Sequence, residues 1–275
     1  MTMNNKISIG LINFINCLPI NYTLEKWAPE DVIFSRGNPA LINELIKDGQ
    51  VQVAPISSIE YLCNDKDYVL LKEACISSDG ECGSVILFSG CEIKDLEGKT
   101  IAIPNNSASS IAMLKVLLKE KGISLENINF VVHKYSGGLA ESFKKYDAVL
   151  YIGDNALIAR YRLQNDNLHQ YDLGRLWKQT TGLPAVFGSW VARADWAANH
   201  QDDLERVKFL ISKAVEAGMG MYFNEVVKIA VSDFDLPDDY IKDYLTGKIK
   251  YNYTYEHEKS LKLFKELYFK IENSS

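Results

Sequence analysis

With 275 residues, 47% of them hydrophobic and 24% charged, the chain is long enough to bury two cores rather than one. A formal charge of −6 removes the general basic field that nucleic acid or an anionic membrane would need, so any anionic ligand must be held by local groups. Five cysteines (Cys17, Cys63, Cys75, Cys82, Cys91), odd in number and without a C-x-x-C pair, argue against a disulfide framework and a zinc ribbon; with a first apolar run, Ile7 to Ile12, too short for a signal peptide or a membrane span, they point to a reduced, cytoplasmic protein.

Lys6 to Ile12 reads as the first strand, followed by the loop Phe14 to Pro19, in which Asn16 or Cys17 precedes a helix that holds Pro19 in its first turn and runs to Trp27. Val32 to Ser35 is a second strand. Asn38-Pro39 opens a helix with Leu41, Ile42, Leu45 and Ile46 on one face, and Gly49 closes it. Val51, Val53 and Ala54 form a third short strand that Pro55 should stop, and Ser57 with Glu60 reads as a capping box ahead of Ile59, Tyr61 and Leu62. Small polar residues from Ser77 to Ser84 then precede a strand at Val85 to Phe88. Strand, helix, strand, helix, strand is the pattern of a parallel α/β lobe.

The pattern recurs downstream. Ile101 to Ile103 is a strand, Ser107 an N-cap, Ile111, Leu114, Leu117 and Leu118 a buried stripe, and Gly122 a stop. Ala148 to Ile152 is a buried strand running into Gly153 and Asp154, the latter an N-cap candidate. Ile9 and Ile103 stand 94 positions apart and Val53 and Val149 stand 96 apart, so equivalent strands lie about one lobe apart. The spacing predicts two similar lobes facing each other across a central cleft, the usual ligand site of open α/β sheets. Val85 to Phe88 and Ala185 to Ala192 read as two crossover strands, giving a discontinuous first lobe (1–88 and 190–275) and a second lobe at 89–189. The helical remainder, with Leu204, Phe209 and Val215 in one helix and Leu261, Phe264 and Tyr268 in the last, is expected to pack on the first lobe. Tyr251, Tyr253 and Tyr255 alternate as a short extended segment between them.

Standard catalytic signatures are absent from the sequence: no Walker A loop, no G-x-S-x-G elbow, no H-E-x-x-H helix and no dinucleotide fingerprint. His133, His169, His200 and His257 are scattered without ligand spacing, so neither a metal nor an organic cofactor is expected. What remains is a set of small polar residues where strands meet helices: Asn16, Ser57 with Ser58, Ser84, Ser107 with Ser109 and Ser110, and Asp154. Hydroxyls beside helix N-termini can hold a carboxylate without any arginine. Capping alone accounts for Ser57 and could account for Asp154, whereas three hydroxyls in four positions from Ser107 exceed what a cap needs.

These residues carry a resemblance. Asn16-Cys17-Leu18-Pro19, the run Val53 to Tyr61, Ser78-Asp79-Gly80, Gly83-Ser84-Val85, Ile152-Gly153-Asp154, Thr181 to Pro184 with Phe187, and the C-terminal YLTGKIKYNYTYEHEKSLKLF resemble the MqnA family over nearly the whole chain. The resemblance implies a two-lobed fold like the type II periplasmic binding proteins and a cofactor-free chorismate dehydratase of the futalosine route to menaquinone, whose product is 3-[(1-carboxyvinyl)oxy]benzoate. It also implies substrate donors at Asn16 and Ser84 and a binding role for Ser107, Ser109 and Ser110; their place at strand-to-helix switches adds Ser57, Ser58 and Asp154 as further binding residues. Cys17 stands where the family commonly has Thr. The general base is left open between a protein residue and the substrate's own enolpyruvyl carboxylate. A non-catalytic solute-binding protein for small anions would share the fold but should carry an export signal; a sister menaquinone enzyme acting on a futalosine-derived substrate should lack the Asn-x-Leu-Pro turn. The expected partner is a small dianion, with no nucleic acid and no membrane; oligomeric state is not legible.

Overall fold

Six consecutive residues with no polar side chain but Ser8 form strand β1, Ile7–Ile12, buried along its whole length as befits a strand covered on both faces. In the computed structural model, which describes residues 6–105, 107–133, 138–163 and 168–273, β1 lies parallel to β2 (Val32–Gly37), in register from Ile7 against Val32 to Ile12 against Gly37. On its other side β1 meets β3 (Val53–Ser57) at Ile9 and Val53. Helix α1 (Leu18–Trp27) follows β1, with Pro19 at its start, and α2 (Pro39–Lys47) follows β2. The α2 entry is closed by Asn38, whose side chain accepts from the Leu41 N–H at 3.0 Å, and Ile42 and Ile46 carry its buried face. Helix α3 (Ser58–Cys63) leads to β4 (Tyr68–Ser78), a long strand that the sequence reading did not resolve.

The second sheet repeats the plan. It is built from β5 (Val85–Ser89), β6 (Thr100–Ile103), β7 (Asn129–Val132), β8 (Ala148–Ile152) and β9 (His169–Asp172), with α4 (Ala108–Glu120), α5 (Gly138–Ser142), α6 (Gly153–Arg162) and α7 (Leu173–Thr181) between and after them. Its order is β7-β6-β8-β5-β9. The first sheet, completed by β10 (Ala185–Arg193), has the order β2-β1-β3-β10-β4. In each, three parallel strands are followed by one antiparallel strand: β10 on β3, β5 on β8. Ile9 meets Val53 in the first sheet, and Ile101 and Ala102 meet Ala148 and Val149 in the second. The 94- and 96-residue repeat is therefore a repeat of sheet position. Beyond β10 come α8 (Ala194–Asn199), α9 (Gln201–Gly218), α10 (Phe223–Phe234), α11 (Asp238–Lys242) and α12 (Tyr255–Glu272).

The chain divides into two compact units, the first holding the residues up to Ser77 and Val186–Tyr255, the second Ser78–Ala185 and the residues from Glu256 on. The changes of unit thus precede the expected ones at 88/89 and 189/190. The reason lies in the pairing: β5 has both neighbours, β8 and β9, in the second sheet. The last helix differs from expectation too. α12 belongs with the second unit, where Phe264 packs edge-on against Trp177 with ring centroids 5.4 Å apart.

Two smaller expectations are corrected. Pro55 does not end β3 but stands inside it, opposite Trp190 of β10; pairing with β1 is confined to Val53, so its missing N–H interrupts no ladder there. Phe209 of α9 is exposed rather than part of the stripe that Leu204 and Val215 contribute. Among the described residues no helix is long and apolar enough to cross a membrane.

Candidate active site

In the first unit the candidates sit where the parallel strands end. β1 runs out into a 3-10 turn, Ile15–Cys17, and Cys17 is the N-cap residue of α1, without a side-chain cap bond. Asn16 is buried, and its Oδ1 accepts from the Cys17 thiol at 3.3 Å. Among the described residues nothing accepts from its Nδ2. The turn is pinned from behind by Asn21, whose Nδ2 donates to the Ile12 carbonyl at 2.9 Å. At the end of β3, Ser57 caps α3: its Oγ accepts from the Glu60 N–H at 3.4 Å and from Asn43 Nδ2 at 3.2 Å. The expected capping box is half formed, because the Glu60 carboxylate turns instead to Asn64 Nδ2 (2.9 Å) and the Tyr68 hydroxyl (3.3 Å). Ser58 is fully buried and donates to the Val186 carbonyl at 2.8 Å.

In the second unit β6 and β8 run parallel and β5 antiparallel to β8, so the exits of β6 and β8 and the entry of β5 share one edge of the sheet. Ser107 follows β6, Asp154 follows β8, and Ser84 precedes β5. The sheet therefore gathers these three positions at its carboxyl end, where open α/β sheets bind ligands. Ser107 occupies the N-cap position of α4 but makes no side-chain cap bond; its hydroxyl donates to Ser110 Oγ at 2.8 Å. Ser109 and Ser110 are buried on the same first turn. Asp154 is not the N-cap expected for it. Ile152 takes that position, and Asp154 lies inside the first turn of α6, where a negative charge faces the positive end of the helix dipole. Ser84 is buried; its carbonyl accepts from the Gly153 N–H at 2.7 Å, and the preceding Gly83 has φ +75°, open to glycine and strained for other residues.

Comparisons with known proteins place the chain as a whole. A family pattern described as menaquinone biosynthesis matches residues 7–270. The chain belongs to this menaquinone-biosynthesis family. It is 31% identical over 200 residues to a chorismate dehydratase of Thermus thermophilus, spanning 68% of this chain and 70% of that one. It is 27% identical over 165 residues to a 1,4-dihydroxy-6-naphtoate synthase of Streptomyces coelicolor, spanning 58% of this chain and 54%, little more than half, of that one. Among solved structures it is similar to a protein of Archaeoglobus fulgidus (TM-score 0.76, 18% identity, 97% of each chain). It is also similar to the periplasmic aliphatic sulphonate binding protein of Escherichia coli (TM-score 0.71, 15% identity, 98% of this chain and 88% of that one). The fold is that of the periplasmic binding proteins, in its two-lobed α/β form.

Within this family member, the motif residues Asn16 and Ser84 each stand at a strand end of their own unit. Sequence reading missed Asp172, a buried carboxylate at the end of β9 that accepts from four groups: the N–H groups of Cys82 (3.0 Å), Gly83 (2.7 Å) and Arg175 (3.0 Å), and Arg160 Nη1 (3.5 Å). The one available signal was local, an Asp three residues before Arg175 at a helix start. Apart from the candidates, a cavity of about 400 Å³ in the first unit is lined by Lys47, Lys66, Tyr68, Arg193 and Asp195. Its arginine is already committed, to Asp195 at 3.0 and 2.6 Å and to the carbonyls of Ile46 and Lys47 at 2.9 Å each. Burial, with the Glu60 carboxylate adding to it, pushes the Tyr68 phenol up to about 12.

Proposed function

We propose that this protein is a chorismate dehydratase, a hydro-lyase that converts chorismate to 3-[(1-carboxyvinyl)oxy]benzoate and water in menaquinone biosynthesis. The observation that carries the reading is the match to the Thermus relative over more than two thirds of each chain. The Asn16 to Pro19 turn favours it over the naphthoate-synthase reading, since that sister enzyme is expected to lack the turn.

The local geometry suits the chemistry. Loss of the proton at C3 of chorismate, vinylogous to the ring carboxylate, with departure of hydroxide from C4 releases water and leaves an aromatic ring. Aromatisation drives the step, so the protein has to orient the diene, stabilise charge moving onto the ring carboxylate and exclude water. Asn16 contributes its Nδ2 donor and Ser84 its hydroxyl. Helices α1, α4 and α6, which begin beside Asn16, Ser107 and Asp154, all lack a side-chain cap bond, in contrast to α2, α3 and α7, which are closed by Asn38, Ser57 and Asp172. In the second unit the positive end of α4 offsets carboxylate charge, whereas that of α6 already faces Asp154. Ser107, Ser109 and Ser110 hold a carboxylate; Asp154, which can only accept, suits a substrate hydroxyl. Ser57 and Ser58 act as scaffold, because their hydroxyls already serve α3 and the Val186 carbonyl.

The test is direct. The purified protein is incubated with chorismate and the aromatic product followed by absorbance and mass. Unchanged chorismate under conditions where an established chorismate dehydratase turns it over would refute the reading.

A further inference from the structure

Asp172 lies ninety positions downstream of Cys82, yet it holds the loop that leads into Ser84. Its Oδ1 accepts the N–H groups of Cys82 and Arg175, both at 3.0 Å, and its Oδ2 accepts that of Gly83 at 2.7 Å. One buried carboxylate thus closes the N-terminus of α7 and ties down two successive amides of the Ser84 loop. A guanidinium backs it: Arg160 reaches Oδ2 at 3.5 Å and pairs with Glu81 of the same loop at 2.5 Å. Arg175 pairs with Glu81 from the other side. The loop also lies directly on the first turn of α7. A Cβ added to Gly174 would stand 2.4 Å from Ser78 Oγ and 2.6 Å from the Gly80 carbonyl, so a side chain there would displace the loop.

From this arrangement we propose that Asp172 is a positioning residue for Ser84. The carboxylate fixes the peptide units at Cys82 and Gly83, while the Gly153 N–H holds the Ser84 carbonyl at 2.7 Å from the far side. The direction of the Ser84 side chain is set between these two anchors. A plain helix cap needs a single acceptor, and a serine or threonine would provide it. A carboxylate is required because three amide donors converge on two oxygens, each of which must accept. Asn at this position would keep one acceptor and set an N–H donor against the Gly83 N–H. The inference rests on the reading of Ser84 as a substrate donor in chorismate dehydration.

A double-mutant cycle tests it. Ser84→Ala, Asp172→Asn and the double variant are compared in chorismate turnover, with thermal unfolding of each. If Asp172 acts through Ser84, Asp172→Asn lowers kcat by about ten-fold or more with KM changed little, and adds less than about three-fold once Ser84 is alanine. Multiplicative losses, or normal kcat in Asp172→Asn beside a slow Ser84→Ala, overturn the proposal. Wild-type rates in Ser84→Ala, or no turnover by the parent protein, refute the underlying site reading instead. Asp172→Ser, which keeps a helix cap but is too short to reach the loop amides, is the second variant should Asp172→Asn not fold. It is scored by the same criterion, and failure of both to fold makes Asp172 a purely structural cap and ends the proposal.

Discussion

The indole N–H of Trp177 donates to the Ser260 hydroxyl at 2.9 Å, and that hydroxyl donates onward to the Pro184 carbonyl at 2.6 Å. All three groups belong to the second unit, so this pair, together with Phe264 packed on Trp177, fastens α12 to α7. Ser260→Ala leaves a buried indole N–H and a buried carbonyl without their partner. A loss of about 1–3 kcal/mol of stability is expected, read as a lower midpoint in chemical denaturation with an unchanged slope. A change within experimental error would mean that both groups find other partners.

Asn16→Asp separates shape from charge. The Oδ1 that accepts the Cys17 thiol is retained, but the two Nδ2 donors are exchanged for a carboxylate oxygen that only accepts. Facing a dianion, like charges about 4 Å apart at an effective dielectric near 20 repel by roughly 4 kcal/mol, enough to cut chorismate turnover by about two to three orders of magnitude. The fold should persist, and circular dichroism with a thermal scan checks it. Near-normal turnover would remove Asn16 from the substrate.

Ser107 and Ser109 are assigned to binding rather than to reaction. Replacing either with alanine removes one charge-assisted hydrogen bond, worth on the order of 1.5–3 kcal/mol, and should raise KM with kcat nearly constant. Ser107→Ala also deprives Ser110 of its 2.8 Å partner, so its effect should exceed that of Ser109→Ala. Steady-state kinetics on the two variants decide the matter; a fall in kcat at constant KM contradicts the assignment.

The five thiols should divide by burial. Cys63 is exposed and Cys91 half-buried, while Cys17, Cys75 and Cys82 are buried. Burial pushes the Cys75 thiol up to about 12, and burial together with the charge of Asp172 pushes that of Cys82 well above its usual range. Since the thiolate is the reactive form, a thiol reagent at neutral pH should modify Cys63 first and Cys91 second, with the other three reacting only on unfolding. Mass mapping of the labelled native protein provides the check, and fast labelling of Cys82 would contradict the packing described.

His257 supplies a pH dependence. It is buried, and burial lowers its pKa below the usual 6.5. A proton therefore binds the unfolded chain more readily than the native one, so this contribution to stability is complete above about pH 6.5 and is lost as pH falls through the lowered native value. The melting temperature of His257→Gln should decline less steeply than that of the parent protein over this acid range. Parallel curves would show that His257 is protonated equally well in both states.

Much of the fold was legible because the interactions that write it are local. The buried run of β1 and β8, the Asn38 cap and Pro39 start of α2, and the Ser57 cap of α3 depend on residues within four positions of one another. The repeat of strand positions showed in the sequence for the same reason, each lobe being assembled from like local units. Asn16, Ser84 and the Ser107 cluster could be singled out because polar side chains at strand ends are anomalous next to apolar runs. Other features depended on tertiary structure. Pro55 keeps its place in β3 because its neighbours across the sheet, not its own propensity, determine which N–H groups are needed. The attachment of α12 to the second unit includes a hydrogen bond between residues 83 positions apart and the packing of Phe264 on Trp177, and the anchoring of the Ser84 loop rests on a carboxylate 90 positions from Cys82. Spacing and composition carry no trace of such pairs, because which buried donor meets which acceptor is fixed only when sheet register and helix packing bring the two together.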